Sequence, residues 1–232
     1  MPQTSGMTET TKPTPTSRLL DLPAELRNEI LYHLLIQHQA TPPSTLGAPR
    51  TPKAPRFCAN VLLACKQLQA EGTPILYGEN TFHAHPSLLA SLPSLLLATR
   101  PYRISLPPVK ASHLIPLIKR FYIHVRLDTD PQFSAEQVTA SFSGVESLSV
   151  EVFQSMYASC DFAVLQLFEG VRRVGKATVH GSVGDGEYAR WLEGVMMTRP
   201  GERISIGDEE RLGTTMAWDT VARQGSWLTR DA

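Results

Sequence analysis

Residues 118 to 127, Ile118-Lys119-Arg120-Phe121-Tyr122-Ile123-His124-Val125-Arg126-Leu127, decide how the chain is read. Phe121, Ile123, Val125 and Leu127 alternate with Tyr122, His124 and Arg126, which is the period-two pattern of a strand with one face buried. Ile118, Phe121 and Ile123 also open an apolar-x-x-apolar-x-apolar motif that returns along the chain. Val145, Leu148 and Val150 repeat it, then Val174, Ala177 and Val179, and then Gly201, Ile204 and Ile206 with glycine in the first place. The offsets, from 118 to 145 to 174 to 201, are 27, 29 and 27 residues.

Between these motifs the stretches Ser134 to Phe142, Asp161 to Val171 and Glu187 to Met197 hold apolar residues at helical spacing, as in Phe162, Leu165 and Phe168. Strand, helix and strand alternating at this period require parallel strands joined by right-handed crossovers, centred near Ile123, Val150, Val179 and Ile206. The period and internal spacing are those of leucine-rich-type repeats, although Arg126, Phe153, Ser182 and Glu209 stand where such repeats place Asn or Cys. A small doubly wound sheet is the competing layout. Thr214 to Leu228, with Met216, Trp218, Val221 and Trp227, is expected to cap the open end of the repeats.

Upstream, Ser87 to Ala98 is leucine-rich and reads as a short helix broken at Pro93. Residues 1 to 17 are rich in Thr, Pro and Ser without apolar periodicity, the composition of a disordered tail. Leu22 to Leu35 reads as an amphipathic helix, with Leu26, Ile30 and Leu34 at steps of four, Leu31 and Leu35 beside them, and Pro23 at its first position. Five prolines in residues 41 to 56 make an extended loop. A second helix is expected from Val61 to Glu71, capped by Asn60, ended by Gly72-Thr73-Pro74, and buried through Val61, Leu62, Cys65 and Leu68.

The whole chain, 232 residues with 42% hydrophobic and 19% charged, has the make-up of an ordinary globular protein that needs no disulfides to fold. Three cysteines at loose spacing and no Asn-x-Ser/Thr acceptor imply a reducing intracellular setting, cytoplasmic or nuclear. No signal peptide or membrane-spanning run is found, so no membrane partner is expected. The net charge of zero divides into 13 Lys+Arg against 6 Asp+Glu over residues 1 to 127, and 9 against 16 beyond them. That asymmetry marks a domain boundary. Without a basic face carrying interleaved aromatics, nucleic acid is not an expected partner.

Leu22-Pro23-x-Glu25-Leu26-x-x-x-Ile30-Leu31-x-x-Leu34 resembles the first helix of the F-box, the module that docks many proteins onto the Skp adaptor of cullin-RING ubiquitin ligases. Residues 19 to 82 are similar to a large fungal group of F-box-like proteins. Its pattern is an LPxELRxxI helix, a variable loop, then LLxxCxQ with a following acidic residue, and LYGxNTF. Here the second part stands as Leu62-Leu63-Ala64-Cys65-Lys66-Gln67 with Glu71, then Leu76-Tyr77-Gly78-Glu79-Asn80-Thr81-Phe82.

The fold expected is therefore α+β: a small helical F-box-like module over residues 18 to 86, followed by an irregular, leucine-rich-repeat-like α/β domain with parallel strands over residues 87 to 232. The resemblance implies a Skp-type adaptor as partner, a target protein held by the repeats, and no enzymatic activity. The docking residues would be Leu22, Pro23, Leu26, Ile30 and Leu34, an apolar edge able to fill a groove on a partner. The same side chains would pack internally if the module only caps the repeats, as in a non-ligase interaction protein.

Other chemistry finds little footing. Cys58, Cys65, His83 and His85 stand as C-x6-C and H-x-H, not at the spacing of a structural zinc site, and no metal or cofactor is expected. Cys160 with His124 or His180 is an unsupported nucleophile and base. Gly181-Ser182-Val183-Gly184-Asp185-Gly186 lacks the Lys and Ser/Thr of a phosphate loop and reads as a plain turn; a small α/β enzyme using it is the third reading.

Overall fold

The computed structural model describes residues 17–37, 57–99, 102–154, 162–184 and 186–202. Residues 1–16, the proline-rich loop, Cys160, Asp185, the fourth motif around Ile204 and Ile206, and the expected cap at residues 214–228 lie outside the described residues.

The three motif strands form as β4 (Arg120–Arg126), β5 (Ser147–Phe153) and β6 (Lys176–Gly181). They are parallel, and the repeat offsets are their register: Phe121 faces Leu148 and Leu148 faces Ala177, just as Ile123 faces Val150 and Val150 faces Val179. Each unit thus stacks on the last with equivalent residues side by side, which puts all the inward apolar positions in rows. Phe121, Ile123, Val125, Leu148, Val150, Val152, Ala177 and Val179 are buried in these rows. Over them lie α3 (Ala135–Phe142) and α5 (Glu187–Met197), as expected from the sequence. Ser134 caps α3 through a capping box with Gln137, and Val138 and Phe142 point inward. The third expected helix is shorter than Asp161 to Val171: α4 covers Ala163–Gln166 and the chain then turns. Leu165 of α4, and Phe168 and Val171 in the segment that follows it, are all fully buried, so burial and not helix length holds this stretch. Phe142 packs on both Phe121 and Phe168, with ring centroids 5.6 and 6.3 Å away.

The sheet is larger than the repeats. Its order is β3-β2-β1-β4-β5-β6, with β1 (Thr81–His85) parallel to β4 but antiparallel to β2 (Leu89–Thr99), which is antiparallel to β3 (Tyr102–Pro108). The sheet is therefore mixed, not purely parallel. The expected helix at Ser87 to Ala98 is strand β2 instead. The helix preference of leucine is a small term per residue, and a proline in the middle of this run would cost a helix about 3 kcal/mol. Pairing on both sides decides the matter, and Pro93 falls where the register with β1 slips, a place that tolerates its missing N–H.

The second helix also departs from expectation. Ala59–Leu63 is a 3₁₀ turn, and α2 runs over Lys66–Glu79, straight through Gly72 and Pro74. Gly72 is not a terminator. A Cβ there would lie 2.4 Å from Leu62 Cδ2 and 3.0 Å from Leu35 Cδ1, so its hydrogen lets α2 approach α1 (Ala24–Leu35) and the 3₁₀ turn. Beside Pro74, the Thr73 hydroxyl donates to the Gln69 carbonyl at 2.6 Å. Leu31 and Leu35 are buried along the same contact, each contributing roughly 2 kcal/mol by leaving water. Leu68 and Leu76 of α2 join them in a core that runs on through the sheet to Met196.

Two polar groups tie the helices together. Arg27, 9% exposed, reaches Glu71 of α2. Asn80, 4% exposed, donates to the carbonyls of Leu35 at 2.8 Å and Leu76 at 2.9 Å and accepts from the Gln37 N–H at 3.1 Å. One side chain thus satisfies the C-terminal ends of both helices where the chain enters β1. No described helix is long and apolar enough to cross a membrane.

Candidate functional site

Two surfaces carry chemistry. The first is the outer side of α1. Its three buried residues, Arg27, Leu31 and Leu35, sit at steps of four and form one stripe. Leu26 and Ile30, one residue earlier at the same step, are turned outward and are 53% and 37% exposed. Pro23 caps the helix from outside it and is exposed, while Leu22 and Leu34 are half-buried. The five expected docking residues therefore divide: Pro23, Leu26 and Ile30 present apolar surface, Leu22 is shared, and Leu34 packs against the core. Glu25 lies in the first turn, where its charge complements the helix dipole.

The second surface is the sheet face opposite the helices. The polar half of each alternation lines it: Thr81 and His83 of β1, Tyr122, His124 and Arg126 of β4, and Ser149 and Glu151 of β5, paired in register. The Tyr122 hydroxyl donates to the Glu151 carboxylate, and the His83 ring lies 5.3 Å from that of Tyr122. His83 Nδ1 meets Ser105 Oγ of β3 at 3.0 Å across β2. His85 is occupied otherwise, since its Nδ1 accepts the N–H groups of Ser87 and Leu88, both at 3.1 Å, and so closes the β1–β2 turn.

At the C-terminal end of β4 this face deepens into a cavity of about 450 Å³. His83, Tyr122 and Ser105 form one side, and the segment Thr129 to Phe133 forms the other. Ser87 donates to Gln132 at 2.5 Å and pins that segment to the β1–β2 turn. Arg126 at the rim grips Asp128 with Nε at 3.1 Å and Nη2 at 2.8 Å, and this paired carboxylate holds the guanidinium above its ordinary range. Although Tyr122 belongs to the polar half of β4, it is buried at the cavity wall.

The remaining candidate residues are not brought together. Among the described residues no group of three or more His, Cys, Asp and Glu is placed to hold a metal ion. Cys58 and Cys65 are free thiols, the first exposed and the second half-buried. Gly181 to Gly186 does not line the described cavity; Gly186 opens α5 in a left-handed conformation, with φ at 77°. The cavity residues come from five separate stretches; in the sequence the strand alternation marked Tyr122, His124 and Arg126, and His83 stood out only as a poorly spaced metal ligand. No family model, curated protein or solved structure matches the chain.

Proposed function

We propose that this chain is a non-enzymatic protein-interaction protein, an F-box-like substrate receptor that docks onto a Skp-type adaptor and holds a target protein for ubiquitin transfer. The observation that carries the reading is the division of α1 into two apolar stripes. Leu31 and Leu35, with Leu34 beside them, pack the helix onto the core, and Leu26 and Ile30 stay partly in water beside the exposed Pro23. Water contact at Leu26 and Ile30 costs free energy that a partner groove would recover. The polar face of the parallel strands, read as a short leucine-rich-repeat-like arc, would receive the target.

The alternative is a non-ligase interaction protein in which α1 only caps the strands. It is favoured by the continuity of the core from Leu31 and Leu35 into the sheet. Co-purification of the chain with a fungal Skp adaptor, wild type against Leu26→Ala/Ile30→Ala, separates the two. The adaptor reading expects a 1:1 complex with wild type, its loss in the double variant, and an unchanged melting temperature. Absence of a complex with wild type leaves the capping role.

A further inference from the structure

The rim of the cavity at the end of β4 holds more donors than acceptors. Arg126 uses Nε and Nη2 on Asp128 and makes no hydrogen bond through Nη1 among the described residues. The His124 ring lies 5.8 Å from that of Phe153 and meets no hydrogen-bond acceptor among the described residues. Gln132 accepts from Ser87 through Oε1, and its Nε2 makes no hydrogen bond among the described residues. Against these three stands one lining carboxylate, the exposed Asp130. Below the rim the lining is apolar, through Leu96, Pro131 and Phe133.

Such a rim selects a guest with acceptor oxygens, and such a floor selects one with a hydrophobic body. A doubly charged phosphate would face Asp128 and Asp130 with a single guanidinium to offset it. A carboxylate carries less charge and matches the planar donor geometry of arginine. We propose that this cavity binds an organic carboxylate with an aromatic or branched body, its oxygens on Arg126, His124 and Gln132 and its body against Leu96, Pro131 and Phe133. A free acid and the C-terminal residue of a polypeptide present the same chemistry. The proposal rests on the cavity and not on adaptor docking, so either can fail without the other.

The test titrates the full chain, without adaptor, with phenylacetate, N-acetylphenylalanine and phenylacetamide, following binding by protein-observed NMR. At least one acid is expected to bind saturably and roughly tenfold or more tighter than the amide, since the amide lacks the charge that Arg126 recognises. Arg126→Gln should weaken that acid by a similar factor, and Leu96→Trp, which fills the floor, should abolish binding, with circular dichroism confirming both folds. Tighter binding of N-acetylphenylalanine assigns the site to a polypeptide terminus; tighter phenylacetate assigns it to a free acid. Equal affinity for acid and amide, acid binding unchanged in both variants, or no saturable binding by any of the three overturns the proposal.

Discussion

Arg27 and Glu71, 44 residues apart, meet as a two-pronged pair, with Nε on Oε2 at 3.0 Å and Nη2 on Oε1 at 2.7 Å. The remaining guanidinium nitrogen donates to the carbonyls of Leu20 and Leu22 just ahead of α1. One arginine therefore sets the entry of the first helix, its angle to the second, and the position of Pro23 and Leu26 on the outside. Glu71 is further held by Gln67 Nε2, which donates at 3.1 Å.

These contacts make stability depend on acid. The hydrogen bonds from Arg27, and then that from Gln67, hold the Glu71 carboxyl below its ordinary range. A carboxyl depressed in the folded state stabilises fully above its unfolded value, about 4.3, and loses that contribution as pH falls through the lower folded value. Urea midpoints measured from pH 7 downward should place Glu71→Gln below wild type at neutral pH, with the gap closing in acid. A gap that stays constant would show that the charge is immaterial.

Asn80 offers a second test. Asn80→Asp keeps the shape but removes both donors, leaving the carbonyls of Leu35 and Leu76 facing a carboxylate. The loss should be on the order of 3 kcal/mol, the scale for stranding buried polar partners. Chemical denaturation reads it directly, and proteolysis at the ends of α1 and α2 should rise with it.

Gly181 closes β6 with φ at 107°, and a Cβ there would come within 2.1 Å of the Val152 carbonyl oxygen of β5. The obstacle is backbone of a paired strand, which cannot turn aside as a side chain can. Gly181→Ala should therefore cost about 3 kcal/mol through strain and steric conflict. A thermal melt within a degree or two of wild type would contradict this close approach.

Much of the parallel array was legible because its signal is local. Alternation within residues 118 to 127 marks a strand, and equal spacing between motifs marks units that stack with like residues adjacent, so offsets of 27 and 29 became the register of β4, β5 and β6. Apolar residues at helical spacing marked Ser134 to Phe142, and the structure adds the capping box between Ser134 and Gln137 that starts α3 there. The LYGxNTF segment stood out as a pattern, but its sequence does not say that Asn80 would join the ends of two helices.

Local pattern thus sufficed for elements whose causes lie within a few residues or recur at a fixed interval. Tertiary structure alone decided the rest. The leucines of residues 89 to 99 suit either state, and neighbouring strands made them β2. Gly72 and Pro74 look like a helix end, yet packing against Leu35 and Leu62 carried α2 past them. Leu26 and Leu31 are equally apolar, and only the placement of α2 chose which is buried. The cavity, too, depends on Gln132 meeting Ser87 across 45 residues. In each case the deciding energy comes from contacts between distant segments, which local pattern and propensity do not encode.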